Sequence, residues 1–570
     1  LRPGLTAEDA VLTMDSDATR GAATGGLRPE ETAAANGRPS GPPQGSEGAS
    51  SRDAGRGLLK NSAAIFVCRV LAILAALVSV PVVIRAIGFQ GYGVWESLLA
   101  LSVLAAVPQN IVGGTLLWKM SVAFGAGERH ELVRFARIGI FVTAVYVSLA
   151  APLMLWCSPA LVRLLRVPFV HRIAAERILP VMLGTILLGG VCESLAAIMR
   201  GSQRAGWAIA IQTGAAILNA GVTITCLSLG RGLYSLLAGY VTAFAVTVVV
   251  SYIVAKRLCP DLTLLPALPR ASDLRSARKY AACLLLGSAS SSLRTETDKL
   301  ILATFASTIW VGYYAIAARI ASLVMETSNF FVVPAIAAVG SLHGQGDEAG
   351  IRKLYSRLMI LVPVGIGAVV AMVAASGKEI MVLWIRTYEP HVEPILMLLL
   401  CGCAAAVLLT GPGACVCKGI GRIEVETMYI AVCLVVNLGL TIVLVASLGA
   451  MGTVIATAVS WVAGSLYFIY VFDQYLNFSF RESVGALKCL LAIVPVVLLH
   501  RWMVPHLGFV DSRLSVFTAL TVNSLSLLAV FFPVMILIGV IPYKMTISAA
   551  TRFKARFLVA DGPMNEGQSR

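Results

Sequence analysis

The sequence predicts an all-α integral membrane protein of about fourteen transmembrane helices: two six-helix bundles related as a parallel repeat, then a terminal helix pair. Three observations predict it. The 570 residues are 58% hydrophobic and 13% charged, with a mean hydropathy of +0.83, whereas an ordinary soluble domain carries roughly twice that charge. Apolar runs of about 20 residues, the length that crosses a hydrocarbon core, recur along the chain. The chain also repeats itself at an offset of 219 residues: Gly93 is answered by Gly312, Asn110 by Asn329, Gly127 by Gly346 and Gly230 by Gly449. Gly201, Arg204, Asn219 and Gly221 are answered by Gly419, Arg422, Asn437 and Gly439, one residue closer. Polytopic duplication of this kind is a signature of transporters.

In order along the chain, residues 1–57 are rich in Gly, Ala, Pro and Ser, and acids and bases nearly balance. Such a segment buries too little apolar surface to order itself, so a disordered cytoplasmic tail is expected. The first 60 residues also lack the apolar core of a cleavable signal peptide. The predicted spans are 61–86, 94–118, 136–157, 178–199, 207–229 and 233–256 in an N-terminal bundle of 58–257. A cytoplasmic linker, 258–277, follows. The C-terminal bundle of 278–475 holds 278–304, 311–340, 356–376, 393–417, 426–447 and 450–472. Two extra helices, 486–504 and 514–541, fall in 476–543, and a basic cytoplasmic tail occupies 544–570. Because each repeat has an even number of spans, both enter the membrane with the same orientation, related by an axis along its normal.

Lys and Arg exceed Asp and Glu by 45 to 30. The basic residues sit singly or in pairs beside apolar runs, which argues against a nucleic-acid surface and for membrane-orienting charge. They gather on one side, at Lys256, Arg257, Arg270, Arg275, Arg278 and Lys279, and again at Lys544, Arg552, Lys554 and Arg556. That side is read as cytoplasmic, with the amino terminus. Arg163, Arg166, Arg172 and Arg177 break the rule, because they fall outside; an interfacial amphipathic helix or a contact for anionic headgroups would account for them. Pro81, Pro108, Pro152, Pro334, Pro363, Pro412 and Pro533 lie in or beside spans, where each is expected to kink its helix. Most of the twelve cysteines fall in apolar runs, where Cys acts as a small hydrophobe. In Cys401, Cys403, Cys415 and Cys417, partners two apart on a helix point in different directions, so no metal site is assigned.

An ionisable group deep in a span costs at least about 2.5–3.5 kcal/mol, so it needs a partner or a wet cavity. The seventh span concentrates such groups in Arg294, Glu296, Asp298 and Lys299, with hydroxyls from Ser291, Ser292, Thr295 and Thr297. Arg294 and Asp298 are four apart and can pair on one face, which leaves Glu296 directed elsewhere. Arg319 and Glu326 lie in the eighth span, Arg69 in the first, Glu96 in the second and Glu193 in the fourth. Cations distributed in depth suit an anionic substrate crossing in stages, while interhelical salt bridges are the structural alternative. Asn110 and Asn329 either bond between helices or touch substrate. Phosphate-binding loops, nucleophile elbows and grouped histidines are lacking, so neither an enzyme activity nor a cofactor is expected.

The run Gly88, Phe89, Gln90, Gly91, Tyr92, Gly93, Val94, Trp95 resembles the Gly-x-x-Gly-Tyr-Gly-x-Trp turn of polysaccharide transporters, the O-antigen flippases of the multidrug/oligosaccharidyl-lipid/polysaccharide exporter superfamily. Asp298-Lys299-Leu300-Ile301-Leu302, followed by Gly312-Tyr313-Tyr314-Ala315-Ile316-Ala317-Ala318-Arg319, is similar to that family's second-half motifs. The likeness covers residues 58–480. It implies two bundles forming a V around a cationic cavity and working by alternating access. The implied cargo is an undecaprenyl-diphosphate-linked oligosaccharide, turned across a bacterial inner membrane for surface polysaccharide synthesis.

On this reading Arg69, Arg294, Lys299, Arg319, Asn110 and Asn329 bind substrate, and Asp298, Glu326, Glu193 and Glu296 couple an ion. Of these, the motif carries Asp298, Lys299 and Arg319; burial cost carries Arg69, Arg294, Glu193 and Glu326. The expected partners are the lipid-linked oligosaccharide, membrane lipids, H+ or Na+ as coupling ion, and the polysaccharide polymerase and glycosyltransferases; nucleic acid is not among them. The competing readings are a peptidoglycan-precursor flippase, a cation-coupled multidrug antiporter and a membrane scaffold for polysaccharide assembly.

Overall fold

A computed structural model describes residues 47–202, 204–476, 480–503 and 513–542. The chain divides into two units, 1–60 and 61–570. In the first, only 47–60 are described, and they are helical although they fall largely in the expected tail. The remainder of that tail and the basic 544–570 segment lie outside the described residues.

Among the described residues all regular structure is helical. The helices are α1 (Glu47–Ala105), α2 (Val107–Gly125), α3 (Arg129–Leu164), α4 (Phe169–Gly201), α5 (Ala205–Ser228), α6 (Tyr234–Leu258), α7 (Ala271–Ile301) and α8 (Thr308–Gly344). They continue as α9 (Glu348–Ala375), α10 (Gly377–Ile385), α11 (Val392–Ala405), α12 (Gly411–Gly419), α13 (Glu424–Leu448), α14 (Ala450–Leu476), α15 (Phe480–Met503) and α16 (Arg513–Leu537). Twelve are long and apolar enough to cross a membrane, with α11 and α12 together making one. That number treats α1 as one span, although Gly88 breaks it into two crossings. It also omits α7, whose charges lower its hydropathy. With both restored, fourteen crossings result.

Gly88 adopts φ 71°, ψ 172°, a region essentially reserved for glycine. The expected turn after the first span is therefore one residue, and the helix resumes at once. The second span is itself interrupted near Ala106, where Pro108 sits in the first turn of α2, a position where its missing N–H is no loss. Pro412 likewise opens α12, behind a π-helical turn at Ala406–Thr410; lacking an N–H, it cannot continue the α-helical ladder from Leu408. Pro81, Pro152, Pro334, Pro363 and Pro533 lie inside continuous helices.

The duplication is visible in the backbone. Gly127 and Gly346 share positive φ, as do Gly230 and Gly449. Among the described residues the two non-glycines with positive φ, Arg166 (46°) and Arg386 (67°), occupy corresponding corners. No separate interfacial helix occurs at the first of these corners. Instead α3 and α4 run on past their expected ends to a tight turn at Leu165–Pro168.

We call the side carrying residues 259–270 the linker side and the opposite one the far side. The linker is strapped to the first repeat: Arg137 Nε donates to the Leu265 carbonyl (2.8 Å), and the Ala267 N–H donates to the Arg137 carbonyl (3.1 Å). In the second repeat α9 and the α11–α12 span are the most enclosed. The terminal pair covers them, with α15 and α16 packing on α9 and α16 also on α10. Arg501 donates to Glu393 (2.8 Å) and to the Ala374 carbonyl (2.8 Å), and Asn523 donates to Glu379 (3.4 Å). In the same far-side loop the hydrogen bond from Tyr388 to Glu393 (2.7 Å) holds that phenol above its ordinary pKa.

The repeats meet at the far side through glycine. A Cβ on Gly93 would overlap the Thr308 carbonyl oxygen, and one on Gly312 would overlap that of Phe89. The two residues that open the duplication thus bring the backbones of α1 and α8 into contact, which no larger side chain permits.

Candidate functional site

The site is built on α7. Asp273 accepts from the Arg270 backbone N–H (2.9 Å) to start the helix. The linker-side half then packs on the first repeat: Trp118 stacks on Tyr280 (4.9 Å), Lys119 donates to Ser276 (2.7 Å), and Arg134 pairs with both Asp273 and Glu131. Toward the far side the charged residues divide between two faces. Lys299 binds Glu96 of α1 (3.1 Å) and Glu296 (3.0 Å), all three mostly buried. Asp298 looks the other way, into the second repeat.

Asp298 is fully buried. It accepts from Tyr314 of α8 (2.9 Å), Thr457 of α14 (2.6 Å) and Asn437 of α13 (3.4 Å). Asn437 Nδ2 also reaches Thr457 (3.1 Å), while Asn437 Oδ1 has no partner. About one helical turn away on the same two helices, the hydroxyls of Thr441 and Thr453 are buried and unpartnered too. A carboxylate among amide and hydroxyl oxygens is the donor set of a hard cation, and a buried carboxyl can equally carry a proton.

The expected Arg294–Asp298 pair does not form within 4 Å. Arg294 places its guanidinium over Trp461 (5.5 Å), because the i,i+4 neighbour is already saturated by three donors from other helices. Asp298 still lies within electrostatic reach of Arg294.

A second cluster lies between the repeats. Arg69 of α1 pairs with Glu326 of α8 at 3.7 Å, and the two side chains are 57% and 48% exposed. Asn329 donates to Glu326 (3.2 Å). Arg319, exposed, stands seven residues before Glu326 on the same face of α8 and within electrostatic reach of Glu96 and Tyr92 of the first repeat. That face therefore looks across at α1. Arg319 lies eleven residues into α8, roughly 16 Å along it, near the middle of a ~30 Å core. It makes no ion pair within 4 Å among the described residues.

The structure thus brings together Arg69, Glu326 and Asn329, with Arg319 above them, and separately Lys299, Glu296 and Glu96. Glu193 stands apart, paired with Arg200 of its own helix (3.1 Å). Asn110 is exposed and joins neither cluster; its buried neighbour Gln109 instead donates to the Leu187 carbonyl. Sequence reasoning missed Tyr314, Asn437, Thr457 and Trp461. The signal was present in Asn437/Thr441 and Thr453/Thr457, polar pairs four apart in otherwise apolar helices. No group of three metal-ligating His, Cys, Asp or Glu side chains occurs among the described residues.

Residues 138–385 match the polysaccharide biosynthesis protein family. No curated protein sequence matches the chain. Among solved structures, a multidrug resistance MATE family transporter of the MOP superfamily, inward-facing, superposes with TM-score 0.61 at 16% identity over 71% of this chain and 94% of its own. The lipid II flippase MurJ, inward closed, superposes with TM-score 0.61 at 13% identity over 84% of this chain and all of its own. The Vibrio cholerae MATE transporter VcmN gives 0.50 at 16% identity, over 73% and 98%. The family match and these likenesses of fold point the same way as the resemblance drawn from the motifs. Twelve helices long and apolar enough to cross a membrane, in a fold similar to these transporters, make the chain a multi-pass membrane protein.

Proposed function

We propose that the chain is a flippase that turns an undecaprenyl-diphosphate-linked oligosaccharide from the cytoplasmic to the outer leaflet of a bacterial inner membrane, for surface polysaccharide synthesis. The moving bodies are the bundles 58–257 and 278–475, joined by the 258–277 linker, and the linker side with the amino terminus is cytoplasmic. One observation carries the reading. Arg319, Glu326 and Asn329 share a face of α8 turned toward Arg69 of the other repeat, with the charged side chains exposed. Exposed charge at mid-span must line water rather than lipid. A wet inter-repeat space bearing arginines suits a diphosphate headgroup, which a guanidinium grips by two hydrogen bonds.

Arg69 and Arg319 would hold the diphosphate in turn, with Lys299 and Arg294 nearer the far side. The Asp298 pocket would exchange the coupling H+ or Na+, and its position on α7, the helix that touches both repeats, would link that exchange to their motion. A second reading has one observation in its favour. The lipid II flippase covers more of this chain than the MATE transporter does, which supports a polyprenyl-linked peptidoglycan precursor as cargo.

The test is export in a deletion strain. Arg69→Ala and Arg319→Ala should each lower surface glycan at least tenfold at normal protein level, with undecaprenyl-linked oligosaccharide accumulating on the cytoplasmic leaflet. Full export by both variants would refute the cationic path; lysis on depletion with an intact coat would transfer the assignment to the peptidoglycan precursor.

A further inference from the structure

The corner joining α3 to α4 has no part in the proposed path, yet it carries four arginines. Arg172 pairs with Glu176 (3.2 Å). Arg163, Arg166 and Arg177 are exposed, and none has an acidic partner within 4 Å among the described residues. The turn is firmly seated, because Val162, Leu165 and Val167 are buried in the core with Ala175 and Ile178. Its outward side chains are apolar as well as cationic: Trp156, Phe169 and Val170 are 81%, 82% and 83% exposed.

Helix geometry fixes the level of these groups. Arg137 grips the linker, and Arg163 follows it on α3 by a rise of roughly 39 Å; on α4, Arg177 and Arg200 are separated by roughly 35 Å. Both values approach the ~40–45 Å between the headgroup layers of a bilayer. Two helices running in opposite directions therefore set their far-side arginines among the far-leaflet headgroups.

The second repeat supplies the contrast. Its corner keeps the left-handed arginine, Arg386, but follows it with Glu389 and Glu393, and Arg501 of the terminal pair engages Glu393. That corner is neutralised and braced by protein. The first repeat has no such brace and a surplus of positive charge.

We propose that the α3–α4 corner binds the phosphodiester headgroups of anionic glycerophospholipids. Arg163, Arg166 and Arg177 hold the phosphates, and Trp156, Phe169 and Val170 enter the glycerol and upper acyl region. Guanidinium supplies two aligned donors to a phosphate, and an aromatic ring at the interface is at home in such a layer. The chemistry holds whichever face is outer; only assignment to the outer leaflet rests on the orientation proposed above. Labelling of engineered cysteines from either side tests that orientation separately.

The full chain is placed in nanodiscs of phosphatidylcholine and phosphatidylglycerol at 3:1, and retained lipid is counted by native mass spectrometry. The wild type should keep phosphatidylglycerol about tenfold above its share, and R163Q/R166Q/R177Q should lose at least fivefold of that enrichment. The corresponding triple lysine variant, with charge but no planar fork, should fall between. A phosphatidylglycerol carrying a photoreactive headgroup, used on the wild type alone, should label peptides within 156–177. Absence of enrichment, an unchanged glutamine variant, labelling confined to other segments, or displacement of phosphatidylglycerol by equimolar undecaprenyl diphosphate would each overturn the proposal.

Discussion

Asp298 is tolerated inside a membrane protein because three helices reach it. Tyr314, Thr457 and Asn437 each donate a hydrogen bond, and such bonds to an ionised group contribute about 1.5–3 kcal/mol each. The unpartnered oxygens of Asn437, Thr441 and Thr453 then require a reason other than stability. An exchangeable cation provides one, and the Asp298→Asn variant separates the roles. It keeps shape and an acceptor oxygen but removes the charge. Export should fall at least tenfold, with protein level within twofold and thermal stability lowered by no more than ~2 kcal/mol. Export at the wild-type rate would remove Asp298 from ion coupling. The sequence flagged this residue by its charge and by the Asp-Lys motif but not by its partners, because its donors lie 16, 139 and 159 positions away. The i,i+4 rule offered Arg294 instead, and tertiary partners overrode it.

At the level of elements, apolar run length was enough to find nearly every crossing. Its limits shifted where backbone conformation intervened. α7, the expected seventh span, stays helical despite its charges because those toward the far side meet protein: Glu296 and Lys299 face α1, and Arg294 and Asp298 face α13 and α14. The limits of the second span were hidden because Gly88 lets one helix lead straight into the next. Glycine is required there by conformation and not by space, since nothing stands within 4 Å of where its Cβ would be. Gly88→Ala should accordingly destabilise the protein by about 1–3 kcal/mol, the strain of that backbone region. Gly287→Ala is the matched control. It is equally uncrowded but lies within α7, so it should be neutral or stabilising by up to ~1 kcal/mol. Thermal unfolding in detergent measures both, and equal effects would refute the conformational argument.

At the scale of the whole molecule, the duplicated scaffold and its contents obey different rules. Backbone features recur at the repeat offset, down to the left-handed arginines of the two corners. The charges of Arg294, Glu296, Asp298 and Lys299 do not, so α7 has no equally charged counterpart in the first span around Arg69. Motion of one repeat against the other must therefore break contacts that are symmetric in backbone and asymmetric in charge. The symmetric contact is the crossing of α1 and α8 at Gly93 and Gly312, which a methyl group would push apart by overlap with backbone, costing about 1–3 kcal/mol of the closed arrangement. An equilibrium between far-side-closed and far-side-open forms shifts about tenfold for every 1.4 kcal/mol. Gly93→Ala and Gly312→Ala should each move the population toward the open form, and the double variant further. Spin labels at Val170 and Thr387, exposed on opposite repeats at the far side, report the change as a longer component in electron–electron distance measurements. If the distances stay at the wild-type value while the protein remains folded, the crossing relaxes locally, and the far side is closed by the Lys299–Glu96 pair instead.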